Sequence, residues 1–191
     1  MSDTATLTRS FEGTKVPEPG TYAIDGSHTQ VGFVVKHMMV SKVRGRFTDF
    51  DGTITISDDP LASSVEVNVR LDSIDTRDDK RDEHLRSADF FDTATHQAMT
   101  YRSTGVRHGK DDRYVLDGEL TLRGTTKPFE LELEFEGAAK DPWGGNRIGF
   151  SARGELNRED FGLSWNAALE TGGFVVGKKV TIELEVEAVL S

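Results

Sequence analysis

The chain of 191 residues carries a formal net charge of -10 and contains no cysteine. That length fits one domain with a substantial core, and the missing thiols exclude a disulfide framework, a thiolate metal site and a cysteine nucleophile. The acidic balance offers no basic patch for nucleic acid, and no apolar run approaches the roughly 18 residues of a membrane span.

Residues 1–19 read as a flexible tail ahead of a single domain over 20–191, with Phe11 as the one large apolar side chain near that domain. The tail is polar and lacks the apolar h-region of a secretory signal, so a cytoplasmic protein is expected. Strand patterns follow. Val31, Phe33, Val35 and His37 share one side of 28–37, and 43–56 holds a bent strand or two with Phe47, Phe50, Ile54 and Ile56 inward. The run SVEVNVRL (64–71) places Val65, Val67, Val69 and Leu71 on one face, the period of two that marks a half-buried strand.

Between 74 and 101 the alternation stops. Thr76 and Asp79 have the spacing of a capping box, Asp82 and Arg86 that of an i,i+4 ion pair, and Leu85, Phe90 and Phe91 form an apolar cluster. This is a short helix with a solvated charged side and a dry side, a lid set on the strands. Strands resume at 101–106, at 116–122 with Leu116, Gly118, Leu120 and Leu122 inward, and at 129–136 with Phe129, Leu131, Leu133 and Phe135 inward. Ile148, Phe150, Ala152, Gly154 and Leu156 line the next, and Val180, Ile182, Leu184 and Val186 the last. Turn residues at 109–112, 123–126 and 142–146 separate them as hairpins require.

About eight antiparallel strands with one wet and one dry face close into a barrel or fold into a sandwich. Glutamates face outward on 129–136 and 180–187, whereas Arg147 and Arg153 face outward on 146–156. Acidic rows side by side repel, so the basic strand is expected between them. Small inward residues (Gly45, Gly118, Ala152, Gly154) either leave an unfilled cavity or permit bulges and corners.

Two motifs fail on context. Gly172 to Lys178 matches seven positions of a P-loop, but Lys179 replaces the Ser or Thr and a strand follows in place of a helix. Gly149 to Gly154 is one residue too long for a nucleophile elbow and lies within a strand. The histidines at 28, 37, 84, 96 and 108 show no metal-binding spacing. No metal, cofactor or catalytic residue is expected.

The chain resembles the YceI-like proteins, polyisoprenoid-binding proteins with a lipocalin-like barrel. The resemblance runs from Tyr22-Ala23-Ile24-Asp25 with Ser27-His28-Thr29, through Lys36-His37 and Val43-Arg44-Gly45-Arg46-Phe47, to the segment 81–92, RDEHLRSADFFD. It continues in Leu120-Thr121-Leu122-Arg123-Gly124 with Lys127-Pro128, in 157–162, NREDFG, and in Val176-Gly177. Gln97 departs from it, standing where a proline is common. The resemblance implies an all-β, extended eight-stranded antiparallel lipocalin-like β-barrel with one short α-helix after an early strand. It also implies a long hydrophobic ligand (isoprenoid, isoprenoid quinone or fatty-acyl), a homodimer and no catalysis.

On that basis Phe33, Val35, Phe47, Ile54, Val67, Val69, Leu120, Leu131, Phe150 and Leu156 would contact the ligand tail, and Leu85, Phe90, Phe161 and Trp165 would close the ends. His37, Arg81, Asn157 and Arg158 would meet a head group. His37 reads equally as a rim histidine, and Arg158 equally as a partner of Asp160 fixing a turn. The alternative is an enzyme acting on such a lipid, with His37, His84 or Asp82 in proton transfer, which requires those groups to converge on the substrate.

Overall fold

Alternation becomes architecture because successive side chains of a strand point to opposite faces. In the computed structural model, which describes residues 7–191, the sheet is built from strands in two classes. Five are unbroken: β9 (Ala98–His108), β10 (Tyr114–Leu122), β11 (Thr125–Lys140), β12 (Asn146–Asn157) and β13 (Val176–Leu190). Three others are each broken once, giving β3 (Gly20–Ile24) with β4 (Gln30–His37), β5 (Ser41–Phe47) with β6 (Phe50–Ile56), and β7 (Ser64–Arg70) with β8 (Ile74–Asp75).

The halves keep a common register. β3 pairs with β6 while β4 pairs with β5, and β6 pairs with β7 while β5 pairs with β8. From β7 the ladder runs through β9, β10, β11 and β12 to β13, which closes on β3 near its carboxyl end and on β4 elsewhere. At the break between β3 and β4 the Glu187 carbonyl accepts from the Asp25 N–H and the Thr29 hydroxyl, and the Glu187 N–H donates to Thr29 Oγ1. The result is a closed eight-stranded antiparallel barrel with one helix, α1 (Asp79–Arg86).

β12 lies between β11 and β13, as charge argued. Arg153 stands opposite Glu132 and Glu183 and bonds the latter at 3.1 Å. Other outward arginines also neutralise the acidic rows: Arg113 reaches Glu132 and Glu134, and Arg107 reaches Asp117 and Glu130. Arg147 Nη1 lies 2.6 Å from both Asp25 and Glu187, and its Nε lies 2.8 Å from Asp141. Hydrogen bonds from Ser27, Arg147 and His28 hold the Asp25 carboxyl well below the usual carboxylate range.

Three sequence expectations change. The expected tail to residue 19 is not a tail in its second half: β1 (Thr8–Phe11) and β2 (Thr14–Pro17) form a hairpin that buries Val16 at 2% exposure. Arg9 fastens it by donating to the carbonyls of Ser57 and Asp58. The rest of that expectation, over residues 1–6, lies outside the described residues.

The helix start also differs. Asp78, not Thr76, is the cap, its side chain accepting from the Arg81 N–H. Thr76 instead donates its N–H and hydroxyl to Asp82, which is only 6% exposed, so the Asp82–Arg86 pair does not form. Arg86 donates to the carbonyls of Asp72 and Ile74. Half the charges read as a solvated face are clamps holding the helix to β8.

The glycines, finally, do not create the cavity. A β-carbon at Gly45 would lie 2.3 Å from the Phe33 ring, at Gly118 2.3 Å from the Tyr101 hydroxyl, and at Gly154 2.7 Å from Phe129. Each is small because an aromatic ring lies over it, and Gly118 also sits at a break in the register between β9 and β10.

Candidate ligand-binding bore

The barrel encloses a cavity of about 290 Å³. Its walls are Val, Leu, Ile and Phe from every strand of the barrel, and Arg158 is the only charged side chain among the lining residues. Inward residues such as Val65, Val67, Leu133, Ile182 and Leu184 are half-buried rather than buried, because their inner surfaces face the bore. The lining residues of β13 run from Val176 to Val186. At about 3.3 Å per residue and a strand tilt of about 40°, that spans roughly 25 Å of the axis. Such a space suits a long chain better than a compact molecule.

Two polar groups of the wall, on Tyr101 and Thr29, are satisfied within it. The Tyr101 hydroxyl donates toward the carbonyls of Leu116 and Phe129, and burial pushes its pKa up. Thr29 donates to Glu187. With so few free polar partners, affinity for a chain rests on apolar contact, worth up to ~0.8 kcal/mol per buried methylene.

Each end has its own cover. Val16 and Pro17 of the β1–β2 hairpin meet the bore beside Pro60, Ser63 and Ser64. At the opposite end Leu85, Phe90 and Phe91, carried by α1 and the turn after it, face inward. Phe91 packs edge-on to Phe47 at 5.8 Å, and Phe90 lies 5.4 Å from Trp165. His84 is wedged edge-on against both Phe90 and Trp165 and bonds Asp89 at 2.9 Å.

Of the residues expected to contact a tail or close an end, Phe33, Val35, Phe47, Ile54, Val67, Val69, Leu85, Phe90, Leu120, Leu131, Phe150 and Leu156 line this cavity. Phe161 and Trp165 do not. Phe161 is buried in the core behind the wall, and Trp165 backs Phe90 from outside. Sequence reading missed Val16 and Pro17 because it passed over Glu12-Gly13, both at positive φ, a two-residue hairpin turn of the kind Asp-Gly makes.

The four expected head-group residues all fall at the lid end, but only Arg158 reaches the bore. Asn157 accepts from the Glu159 N–H and caps the 3-10 turn Arg158–Phe161. Arg81 is spent on Thr76, donating from Nε to its hydroxyl and from Nη2 to its carbonyl, each at 2.7 Å. His37 ends β4 and lies off the lining.

Arg158 is 4% exposed and donates to three main-chain carbonyls, those of Gly177, Leu163 and Val176. The pairing with Asp160 does not form, and among the described residues no carboxylate makes an ion pair with this guanidinium. Burial lowers its pKa. Three of its five N–H donors are used by those carbonyls.

Among the described residues Asp25, His28 and Glu187 converge with potential metal-ligand atoms within 4.8 Å of one another. The Arg147 guanidinium already bridges both carboxylates, so that cluster is an ion-pair network on the outer wall.

Residues 22–188 match the family model of the YceI-like domain. Protein YceI of Escherichia coli O17:K52:H18 is 44% identical over 145 residues, covering 74% of this chain and 75% of that protein. Burkholderia cenocepacia BcnA shares the fold with a TM-score of 0.75 at 18% identity, over 86% of this chain and 98% of that one. A structure described as a polyisoprenoid binding domain from Saccharophagus degradans, implicated in plant cell wall breakdown, superimposes with a TM-score of 0.67 at 17% identity, over 91% and 100% of the two chains. By the match to its family model and the identity to its curated relatives, the chain belongs to the YceI-like family.

Proposed function

We propose that this protein binds one long hydrophobic chain of isoprenoid, isoprenoid quinone or fatty-acyl type inside its barrel, without chemistry, to transport, store or sequester it. The observation that carries the reading is the bore itself, about 290 Å³ lined by aliphatic and aromatic side chains with one guanidinium. Family membership and the polyisoprenoid binding domain among the structural neighbours support it. Arg158, buried without a carboxylate partner among the described residues, favours a ligand whose head is an anion or a strong acceptor, because a guanidinium's remaining N–H groups match such oxygens.

The arrangement of the three enzyme candidates supports binding over catalysis. Asp82 is committed to Thr76, His84 to Asp89, and neither they nor His37 line the bore. A general acid or base must come within hydrogen-bond reach of its proton. The proposal includes a homodimer resident in the cytoplasm, for which light scattering and cell fractionation are the measurements.

Native mass spectrometry of the purified protein, then organic extraction, should reveal a bound hydrophobic molecule near one per chain. Protein that is ligand-free, and that takes up no long-chain probe such as a fluorescent fatty acid, would refute the proposal. Arg158→Met also strands three carbonyls, so it is compared at wild-type circular dichroism, where uptake of anionic-head probes should fall relative to neutral ones.

A further inference from the structure

At the lid end, one hairpin breaks three local rules at once. The turn between β4 and β5 is Met38-Met39-Val40, with side chains 45%, 63% and 86% exposed. Its closing bond runs from the Val40 N–H to the His37 carbonyl, and Met38 and Met39 both have positive φ, 50° and 64°. That backbone favours Gly, Asn or Asp and strains an ordinary side chain. Two residues down the strands, Lys36 and Lys42 are exposed and directly opposite one another, a like-charge pairing that weakens a sheet. Neither makes an ion pair with a carboxylate among the described residues. Departures from local consistency that serve no packing purpose concentrate at functional sites.

A second finger stands beside the first. Residues 167–175 fold back on themselves, the Val175 N–H donating to Ala167 and the Leu169 N–H to Gly173. The Met38 N–H donates to the Val175 carbonyl, and Phe174, 52% exposed, lies on the same finger. A β-carbon at Gly173 would lie 3.1 Å from Met39 Cγ, so the two tips touch. Lys178 and Lys179 follow, paired with Glu159 and Glu155. Glu170 is the acid carried by the finger itself. Trp143, 87% exposed at the opposite end, stands alone on its turn without the adjoining methionines and valine.

We infer that these two tips dock the protein end-on to an anionic lipid bilayer. Charge argues for that occupant: the molecule carries a net charge of -10, yet Lys36 and Lys42, without an ion-pair partner among the described residues, flank a turn of three exposed apolar side chains. An anionic surface attracts that lysine pair, set apart on its hairpin from the exposed acids Asp78, Asp79 and Glu83 of the lid helix. Size argues the same way. Met38, Met39, Val40 and Phe174 make a patch far below the ~800 Å² per partner of a stable protein interface, whereas a few apolar side chains with lysines that snorkel suffice for interfacial anchoring. Val35, Val176 and Arg158, on the strands and turn below the tips, line the end of the bore. For its purpose, though not for its physics, the docking rests on the bore reading.

The test is flotation of the full chain with vesicles of phosphatidylcholine, with and without phosphatidylglycerol. Wild type should partition onto phosphatidylglycerol vesicles and release with added salt. Each lysine near an anionic surface contributes about fivefold in partition, so Lys36→Gln with Lys42→Gln should weaken binding about 25-fold at low salt. Met39→Asp with Val40→Asp should abolish it while the circular dichroism spectrum and the extracted lipid stay at wild-type levels. The inference is overturned if wild type ignores phosphatidylglycerol, if Met39→Asp with Val40→Asp floats like wild type, or if that variant changes only self-association in light scattering. Because vesicle binding needs no cargo, flotation by protein that yields no lipid on extraction would support docking while removing the bore reading.

Discussion

Filling the bore tests its purpose most directly. Val67 points inward from β7, opposite Gly52 on β6 and Tyr101 on β9, and it lines the cavity half-buried. Val67→Trp places an indole in space that is already empty, so it adds contacts to the wall rather than overpacking a closed core. It displaces about five methylenes of a bound chain, at up to ~0.8 kcal/mol each. With half to all of that realised, Kd rises by about 2 to 4 kcal/mol, roughly 30- to 700-fold. The assay is lipid extracted per mole of purified protein, set beside the thermal midpoint of cargo-free wild type and variant. The expected result is a variant with wild-type circular dichroism, a midpoint at or above that of cargo-free wild type, and little extractable lipid. A folded Val67→Trp that retains wild-type lipid content would refute the reasoning, because the cargo would then lie elsewhere.

The lid and the walls give three further expectations. Asp82→Ala removes the single oxygen, Oδ1, that accepts from both the Thr76 N–H and its hydroxyl and strands a buried N–H, costing about 1–3 kcal/mol and lowering the melting temperature by roughly 2–10 °C; the exposed Asp79→Asn should change it by less than a degree or two, and calorimetry compares them. Asp25 and Asp141 have pKa values held below their ordinary carboxylate range, Asp25 first by Ser27 and then by Arg147, Asp141 first by the Gly145 N–H and then by Arg147. The unfolded chain therefore binds more protons as pH falls through about 4, so stability is full above that pH and drains below it; urea midpoints against pH should fall on the acid side, with a shallower slope in Arg147→Gln. Val16→Asp buries a carboxylate where Val16 is 2% exposed, so the β1–β2 hairpin should undock. Limited proteolysis within residues 8–17 should accelerate while β13 stays protected.

The strands were legible because alternation is a local property. Glu130, Glu132 and Glu134 alternating with Leu131 and Leu133 state which face is wet without reference to anything distant, and Arg153 between two acidic rows even states the neighbours. The cavity was expected from the family resemblance, whereas the glycines left it open against bulges and corners. Gly45, Gly118 and Gly154 looked like missing volume, yet Phe33, Tyr101 and Phe129 occupy it, and ring positions over a glycine depend on cross-strand packing that no single run records. Charge roles were the least legible. Asp82 and Glu83 are neighbours of the same chemistry, but only Asp82 lies within reach of Thr76, a geometry set by where β8 stops. Arg158 and Arg81 looked alike as head-group donors, and the difference between them is which carbonyls happen to face them.

The bore also poses a kinetic problem that its two ends help to resolve. A chain gripped along its length must leave end-first, and each methylene drawn into water forfeits up to ~0.8 kcal/mol, so escape into solvent becomes slower with every carbon added. The clamps on α1 do not offer an easy alternative, since Asp82, Arg81 and Arg86 all bind it to β8 or to the turns beside it. The penalty vanishes only if the emerging segment enters another apolar phase as it leaves. Met39, Val40 and Phe174 standing beyond the Arg158 end would hold such a phase at that end, and the strained turn that presents them is then part of the release path. On this argument, lipid should pass from protein to phosphatidylglycerol vesicles faster than it dissociates into buffer. Met39→Asp with Val40→Asp should slow that transfer to the solvent rate while leaving the equilibrium lipid content untouched.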